Sequence, residues 1–147
     1  MYKRLQIVKI NSEYCNYLRK FDNKVPYNAG TKELRPFIGV LFSIERQEYF
    51  APLSSPKVKH KTLKNTLDLI KIDKGNYGVI KFNNMIPVTK DDYEIFDLNK
   101  KSNDKKEIFR IELLKNQLRW LTTNRKEIYT KSNYLKMLKI DVVILSY

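Results

Sequence analysis

Between Phe37 and Lys57 the chain reads as two strands that deliver a loop. Phe37 to Ile44 is Phe-Ile-Gly-Val-Leu-Phe-Ser-Ile, a nearly continuous apolar run of strand length. A short run of this kind, rich in β-branched and aromatic residues, marks a buried strand. Gly39 inside it predicts a bulge or a close backbone approach. Arg46-Gln47-Glu48 turns the chain into a second strand, Tyr49 to Leu53, and the two form a hairpin. The hairpin ends in Ser54-Ser55-Pro56-Lys57. Two hydroxyls, a rigid proline and a lysine at a strand end can hold and neutralise a phosphodiester. The plain alternative is an ordinary Ser-Ser-Pro turn, because short motifs match by chance often.

The charge balance favours the phosphodiester. Lys plus Arg is 29 against 16 for Asp plus Glu, a formal net charge of +13 on 147 residues. The excess concentrates late: 12 basic residues lie from Lys100 to Lys139, opposed only by Asp104, Glu107, Glu112 and Glu127. Each cation that meets a phosphate releases condensed counterions, which gives affinity without sequence preference. Nucleic acid is therefore the leading partner, ahead of a general anionic partner or a merely solubilising surface.

Length and composition predict one domain over residues 1–147, with enough apolar residues for a core. Cys15 and His60 are single, so the chain cannot build a Cys/His zinc site or an intrachain disulfide. That suits a reducing cytoplasm. The N-terminus lacks the apolar core of a signal peptide, and no run reaches membrane-spanning length.

The remaining elements follow from spacing. Ser12 caps a helix whose stripe is Tyr14, Tyr17, Leu18 and Phe21, stopped by Pro26. Asn28-Ala29-Gly30 reads as a turn. Leu67 to Ile72, Tyr77 to Phe82 and Met85 to Val88 read as short strands, the first two joined by Asp73-Lys74-Gly75-Asn76. Asp104 and Glu107 resemble a capping box. The helix that follows carries Ile108, Ile111, Leu114, Leu118, Leu121 and Ile128 on one stripe. A short helix over Asn133 to Lys139 and a final β-branched run, Asp141 to Leu145, complete the chain. The fold class is α+β, a small antiparallel sheet or barrel with helices on one side.

If the partner is RNA, the simplest reaction is internal: the 2'-hydroxyl attacks its own phosphate and leaves a 2',3'-cyclic phosphate and a 5'-hydroxyl. It needs a proton acceptor, cations for the non-bridging oxygens and an acid for the leaving oxygen. One histidine excludes a two-histidine mechanism within one chain. Lys57 is the candidate for charge stabilisation, with Ser54 and Ser55 on the phosphate. His60, flanked by lysines that hold its pKa down, is a base, a phosphate contact or simply exposed. Lys59, His60 and Lys61 in the basic loop, and Lys115, Gln117 and Arg119 on the helix, are candidate RNA contacts. Asp91, Asp92, Glu94 and Asp97 are too interleaved with apolar residues for a two-metal site and read as the first turn of a helix. Cys15 reads as inert. Tyr14 packs in the core, its hydroxyl free to emerge at a site edge.

These residues resemble a known family, the toxins of type III toxin–antitoxin systems (ToxN, AbiQ, CptN). The resemblance rests on Ser12–Leu18 with Phe21–Pro26, on Arg35-Pro36-Phe37-Ile38-Gly39-Val40, on Tyr49 to Lys57, on Met85–Val88 and on Leu113–Gln117. Ser54 stands where relatives often have threonine. The resemblance implies a compact, strongly bent antiparallel sheet or small β-barrel with flanking helices, akin to the Kid/MazF toxins. It implies a sequence-specific endoribonuclease that needs no metal or other cofactor. It places the active-site lysine on Lys57, the hydroxyl pair on Ser54 and Ser55, the first-helix tyrosine on Tyr14 and a basic residue on Arg35. It also implies two RNA partners, substrate mRNA and a repeated pseudoknot antitoxin RNA that forms a closed protein–RNA assembly, with no membrane or DNA partner, in phage defence by abortive infection. A non-catalytic RNA-binding module and a module for an acidic protein partner are the alternatives.

Overall fold

A computed structural model describes residues 4–21, 35–66 and 68–145, with side chains described to Leu138. Among them seven strands and three helices form an α+β fold. The strands are β1 (Gln6–Ile10), β2 (Phe37–Ile44), β3 (Gln47–Ser54), β4 (Leu69–Lys71), β5 (Val79–Lys81), β6 (Ile86–Val88) and β7 (Tyr93–Ile95). The helices are α1 (Ser12–Arg19), α2 (Lys105–Thr123) and α3 (Arg125–Leu145). The sheet is antiparallel, in the order β4-β5-β3-β2-β1-β7, with β6 also on β3. Its end strands β4 and β7 do not pair, so the sheet is open where a barrel would be closed.

β3 organises the sheet. Its first half pairs with β6 (Glu48 opposite Val88, Phe50 opposite Ile86) and its end with β5 (Leu53 opposite Ile80, Ser54 opposite Val79). Pro52 falls between the two pairings, where a strand can spare a donor. Both faces of the β2–β3 hairpin are covered, which is why its sequence is apolar without alternation. Ile38, Leu41, Ala51 and Leu53 belong to the main core with Leu114 and Leu121 of α2 and Ile128 of α3. Phe37 and Phe50 face a second core with Val8, Ile10, Cys15 and Ile86, against which Tyr14 and Leu18 of α1 pack. The predicted irregularity at Gly39 is present: the β2–β3 register shifts between Ile38 and Phe42. The close neighbour is a side chain, because a Cβ on Gly39 would lie 2.3 Å from the Phe50 ring.

Several boundaries differ from those the sequence suggests. The hairpin turn is Glu45-Arg46, with φ of 50° and 70°, so β3 starts at Gln47. A two-residue turn between twisted strands demands that left-handed backbone whatever the residues. Asn11, not Ser12, caps α1, accepting from the Glu13 and Tyr14 N–H groups. Phe21 lies past the end of α1, 75% exposed and edge-on to the exposed Tyr17, while Cys15 takes the buried position. Pro26 and Asn28–Gly30 lie outside the described residues. Asp91 and Asp92 end a short 3-10 turn that enters β7, not a helix. Asp104 caps α2 through the Lys106 N–H, but Glu107 turns to Ser102 and Lys100 rather than closing the box. The long helix breaks at Asn124, so Ile128 belongs to α3. α3 then runs unbroken through the segment read as a short helix and a β-branched strand.

Candidate active site

The Ser54–Lys57 loop is held from below. Ser54 pairs with Val79, and Gly78, with φ of 93°, packs directly on the Ser54 backbone. A Cβ there would come within 1.8 Å of the Ser54 carbonyl oxygen. Past Pro56 the loop closes on itself: the His60 N–H donates to the Lys57 carbonyl (3.0 Å), and the Lys57 N–H donates to His60 Nδ1 (3.1 Å). His60 is only 2% exposed. Burial, then the charges of Lys57, Lys59 and Lys81, holds its pKa below the ordinary value. The imidazole is therefore neutral with Nδ1 as acceptor, and it fixes the backbone that presents Lys57.

Above this loop lies a cleft of about 360 Å³. Ser54, Ser55, Lys57 and Leu53 form one side, Arg35, Pro36 and Pro52 a second, and Arg110, Leu113, Leu114 and Gln117 of α2 a third, with Lys81 of β5 between them. Four cations line it and no carboxylate does. Among the described residues none of the four is ion-paired. Burial lowers the pKa of Lys81, and the charges of Lys57, Arg35 and Lys59 lower it further. Burial also lowers that of Arg110, whose guanidinium lies over the Phe96 ring at 5.2 Å. A cavity holding cations without counterions is an electrostatic trap for an anion.

The cleft thus brings together five residues singled out from the sequence: Ser54, Ser55, Lys57, Arg35 and Gln117. The others stand elsewhere. Lys59 and Lys61 are exposed on the 3-10 turn Val58–Lys61, around buried His60. Lys115 pairs with Glu112 at 3.7 Å, and Arg119 donates to Asn116 at 3.4 Å. The Tyr14 hydroxyl donates to the Pro87 carbonyl at 2.5 Å, on the second core. Burial, with a smaller contribution from Asp92, raises its pKa. Lys81 and Arg110 are the residues that sequence reasoning missed. Arg110 had a signal: it stands four before Leu114 and seven before Gln117, on the buried stripe where an apolar residue is expected. Lys81 had only its place at the end of a strand pattern. Among the described residues no three His, Cys, Asp or Glu stand together as metal ligands, and no helix is long and apolar enough to cross a membrane.

Residues 6–143 match the family described as "Toxin ToxN, type III toxin-antitoxin system". The chain belongs to the ToxN toxin family. It is 38% identical over 93 residues to the endoribonuclease ToxN of Bacillus thuringiensis subsp. kurstaki, covering 63% of this chain and 48% of that one. It is 30% identical over 145 residues to the endoribonuclease ToxN of Pectobacterium atrosepticum, covering 93% of this chain and 82% of that one. The match thus spans about half the length of the first relative and most of the second. A solved structure concerned with selective toxin inhibition by a non-coding RNA pseudoknot superposes with a TM-score of 0.76 at 28% identity, covering 91% of this chain and 79% of that one. In this ToxN-family chain the cleft sits at the end of the hairpin on which the sequence resemblance centres.

Proposed function

We propose that this chain is the RNA-cutting toxin of a type III toxin–antitoxin system and that the basic cleft is where it cuts. The observation that carries the reading is the cleft itself: two serine hydroxyls and four cations, none ion-paired among the described residues, around one cavity with no carboxylate in its lining. Its relatives named endoribonuclease ToxN support the activity.

The 2'-hydroxyl of the substrate attacks the adjacent phosphorus, the P–O5' bond breaks, and a 2',3'-cyclic phosphate and a 5'-hydroxyl result. Ser54 and Ser55 donate to the non-bridging oxygens and hold the scissile phosphate. Lys57 lies over the developing charge, with Arg35, Lys81 and Arg110 completing a field that attracts phosphate before and during the reaction. Tyr14, bonded to the Pro87 carbonyl on the second core, lies outside this cleft and takes no part in the step. Lys59, Lys61, Lys115 and Arg119 extend the basic surface along the RNA, and His60 acts from beneath the loop. The same groove takes a pseudoknot antitoxin RNA as inhibitor, in a closed protein–RNA assembly, and mRNA as target, in the cytoplasm and in defence against phage. Within this reading the bent hairpin sheet is the counterpart of the Kid/MazF architecture.

The test is controlled expression of the parent and of Lys57→Ala in bacteria, with 5'-end mapping of cellular RNA. New 5'-hydroxyl ends and growth arrest are expected from the parent. They fall by on the order of 10²–10³-fold in the variant, the scale for losing one oxyanion partner. Intact RNA in both, with folded protein present, would replace this reading with a non-catalytic RNA-binding module.

A further inference from the structure

Besides its serine hydroxyls, the cleft is lined, among the described residues, by two groups that can exchange a proton, Lys57 and Lys81. An arginine does not release its proton in a protein, which sets Arg35 and Arg110 aside. His60 is not in the lining, and its Nδ1 is committed to the Lys57 N–H. Lys57 rides on the loop, whereas Lys81 stands on the sheet. Its strand β5 is paired on both sides, to β3 and to β4, so the stem of Lys81 starts from a fixed backbone. Ser54 pairs with Val79, and Lys81 follows two residues on, on the same face. Ser54 and Lys81 are therefore diagonal neighbours across the strand pair, about 7–8 Å apart, a span that a long side chain covers. A phosphate held at the serines meets one lysine from the loop and a second from the sheet. Burial, and then the charges of Lys57, Arg35 and Lys59, make the Lys81 ammonium a stronger acid than an ordinary lysine.

We propose that Lys81 is the general acid of the cleavage and gives its ammonium proton to the leaving 5'-oxygen of the phosphate held at Ser54 and Ser55. This rests on the reading of the cleft as the place where RNA is cut. The 2'-oxygen forms its bond to phosphorus and releases its proton to water. The P–O5' bond breaks, its electron pair stays on the 5'-oxygen, and that oxygen takes the proton from Lys81. Neutral Lys81 then recovers a proton from solvent, so the cycle consumes only the RNA bond. The two lysines divide the phosphate between them: Lys57 stays with the non-bridging oxygens, where charge develops, and Lys81 serves the bridging oxygen that departs. A positioned proton donor of this kind contributes roughly 10²–10⁴-fold. An arginine in the place of Lys81 would supply the charge without the proton.

The test is an oligoribonucleotide that the parent protein cuts, prepared with the bridging 5'-oxygen at the cut and again with sulfur in its place. A thiolate departs without a proton, so the sulfur substrate needs no acid. With oxygen, Lys81→Met and Lys81→Arg should both cut more slowly than the parent at saturating protein, on the order of 10²-fold. With sulfur, both should cut close to the parent rate. The ratio of the two rates is taken on a single protein preparation, so lost stability cancels. Equal losses on the two substrates would overturn the proposal, make Lys81 a cation that only binds phosphate, and leave the RNA-cutting reading standing. Full activity of either variant on the oxygen substrate would also overturn it. Parent protein that cuts no RNA would overturn both.

Discussion

Among the described residues, two polar concavities carry opposite sign. One is the basic cleft of Arg35, Lys57, Lys81 and Arg110. The other lies around Lys9, Ile10 and the start of α1, and is lined by Glu13, Asp91, Asp92 and Glu94. In the acidic concavity two of the four carboxylates, Asp92 and Glu94, are answered by side chains. Lys9 pairs with Glu94 at 3.4 Å, Thr89 donates to the Asp92 carboxylate at 2.7 Å, and the Asn11 N–H donates to the Asp92 carbonyl. In the basic cleft, among the described residues, no carboxylate forms an ion pair with any of the four cations, Glu107 acting on Arg110 only at longer range, and an amide oxygen is left over as well. Charge alone marks both sites. What separates them is the counterion: Lys9 answers the acidic concavity, whereas the cations of the cleft have no ion pair among the described residues, the condition under which a cavity attracts an anion.

The sharpest way to break this contrast is Lys81→Met. Cleavage should fall on the order of 10²-fold, because the variant removes a cation aimed at the phosphate. Thermal stability should hold or rise, because a partly desolvated charge with no ion pair among the described residues is also removed. The pH dependence follows the same logic. The folded-state pKa of Lys81 is lowered, so as pH rises towards the ordinary lysine value the folded protein gives up this proton before the unfolded chain does. Stability from this group then increases with pH, and Lys81→Met should flatten that part of the profile. A variant that loses stability and keeps its activity would make Lys81 a structural residue.

Gly78→Ala should come next. The added Cβ meets the Ser54 carbonyl at 1.8 Å on a backbone of positive φ, and a carbonyl in a β-bridge cannot swing aside. A loss of about 1–3 kcal/mol is expected from strain of this kind. Calorimetric melting reads it, and cleavage at a temperature where the variant is folded should fall because Ser54 has moved. Full activity there would show that the loop does not depend on the turn beneath it.

The sequence disclosed the hairpin and its loop because they are local: an apolar run, a turn and Ser-Ser-Pro-Lys are contiguous. Ser54, Ser55 and Lys57 could be found that way. Lys81 and Arg110 could not, since their meaning arises only when β5 and the stripe of α2 close on the hairpin, across separations of roughly 25 to 55 residues in the chain. The seating of His60 was hidden for the same reason, as a histidine among lysines looks exposed until the loop folds over it. At the C-terminal end the opposite error occurs. Val142, Val143 and Ile144 favour strand by local preference, yet the segment continues α3, because preferences of a few tenths of a kcal/mol yield to the continuing helix.

His60 gives a smaller effect on the basic side. Its pKa is lowered in the folded protein, so below the ordinary value of 6.5 the unfolded chain takes up a proton that the folded protein refuses. Stability should fall as pH drops from 6.5 towards the lowered folded value. At that point protonated Nδ1 also confronts the Lys57 N–H that it had accepted from. Melting temperatures from pH 7.5 to 5 should show a downward slope that His60→Gln reduces. An unchanged slope would mean that other groups carry the acid sensitivity.

Glu94→Gln, in the acidic concavity, should do least. Its salt bridge with Lys9 is exposed on the carboxylate side, and exposed pairs contribute about 0–1 kcal/mol and are screened by salt. Melting temperature should therefore shift by no more than a degree or two, and cleavage should change by less than twofold. The comparison depends on this small number as much as on the large ones. Long-range attraction of RNA to a strongly basic protein would make any added positive charge raise the cleavage rate, wherever it is placed. Local trapping in a cleft without counterions makes the rate respond to Lys81 and ignore Glu94. Cleavage by Glu94→Gln that rises several-fold at low salt and returns to the parent rate at high salt would shift the explanation from the cleft to the field of the whole molecule.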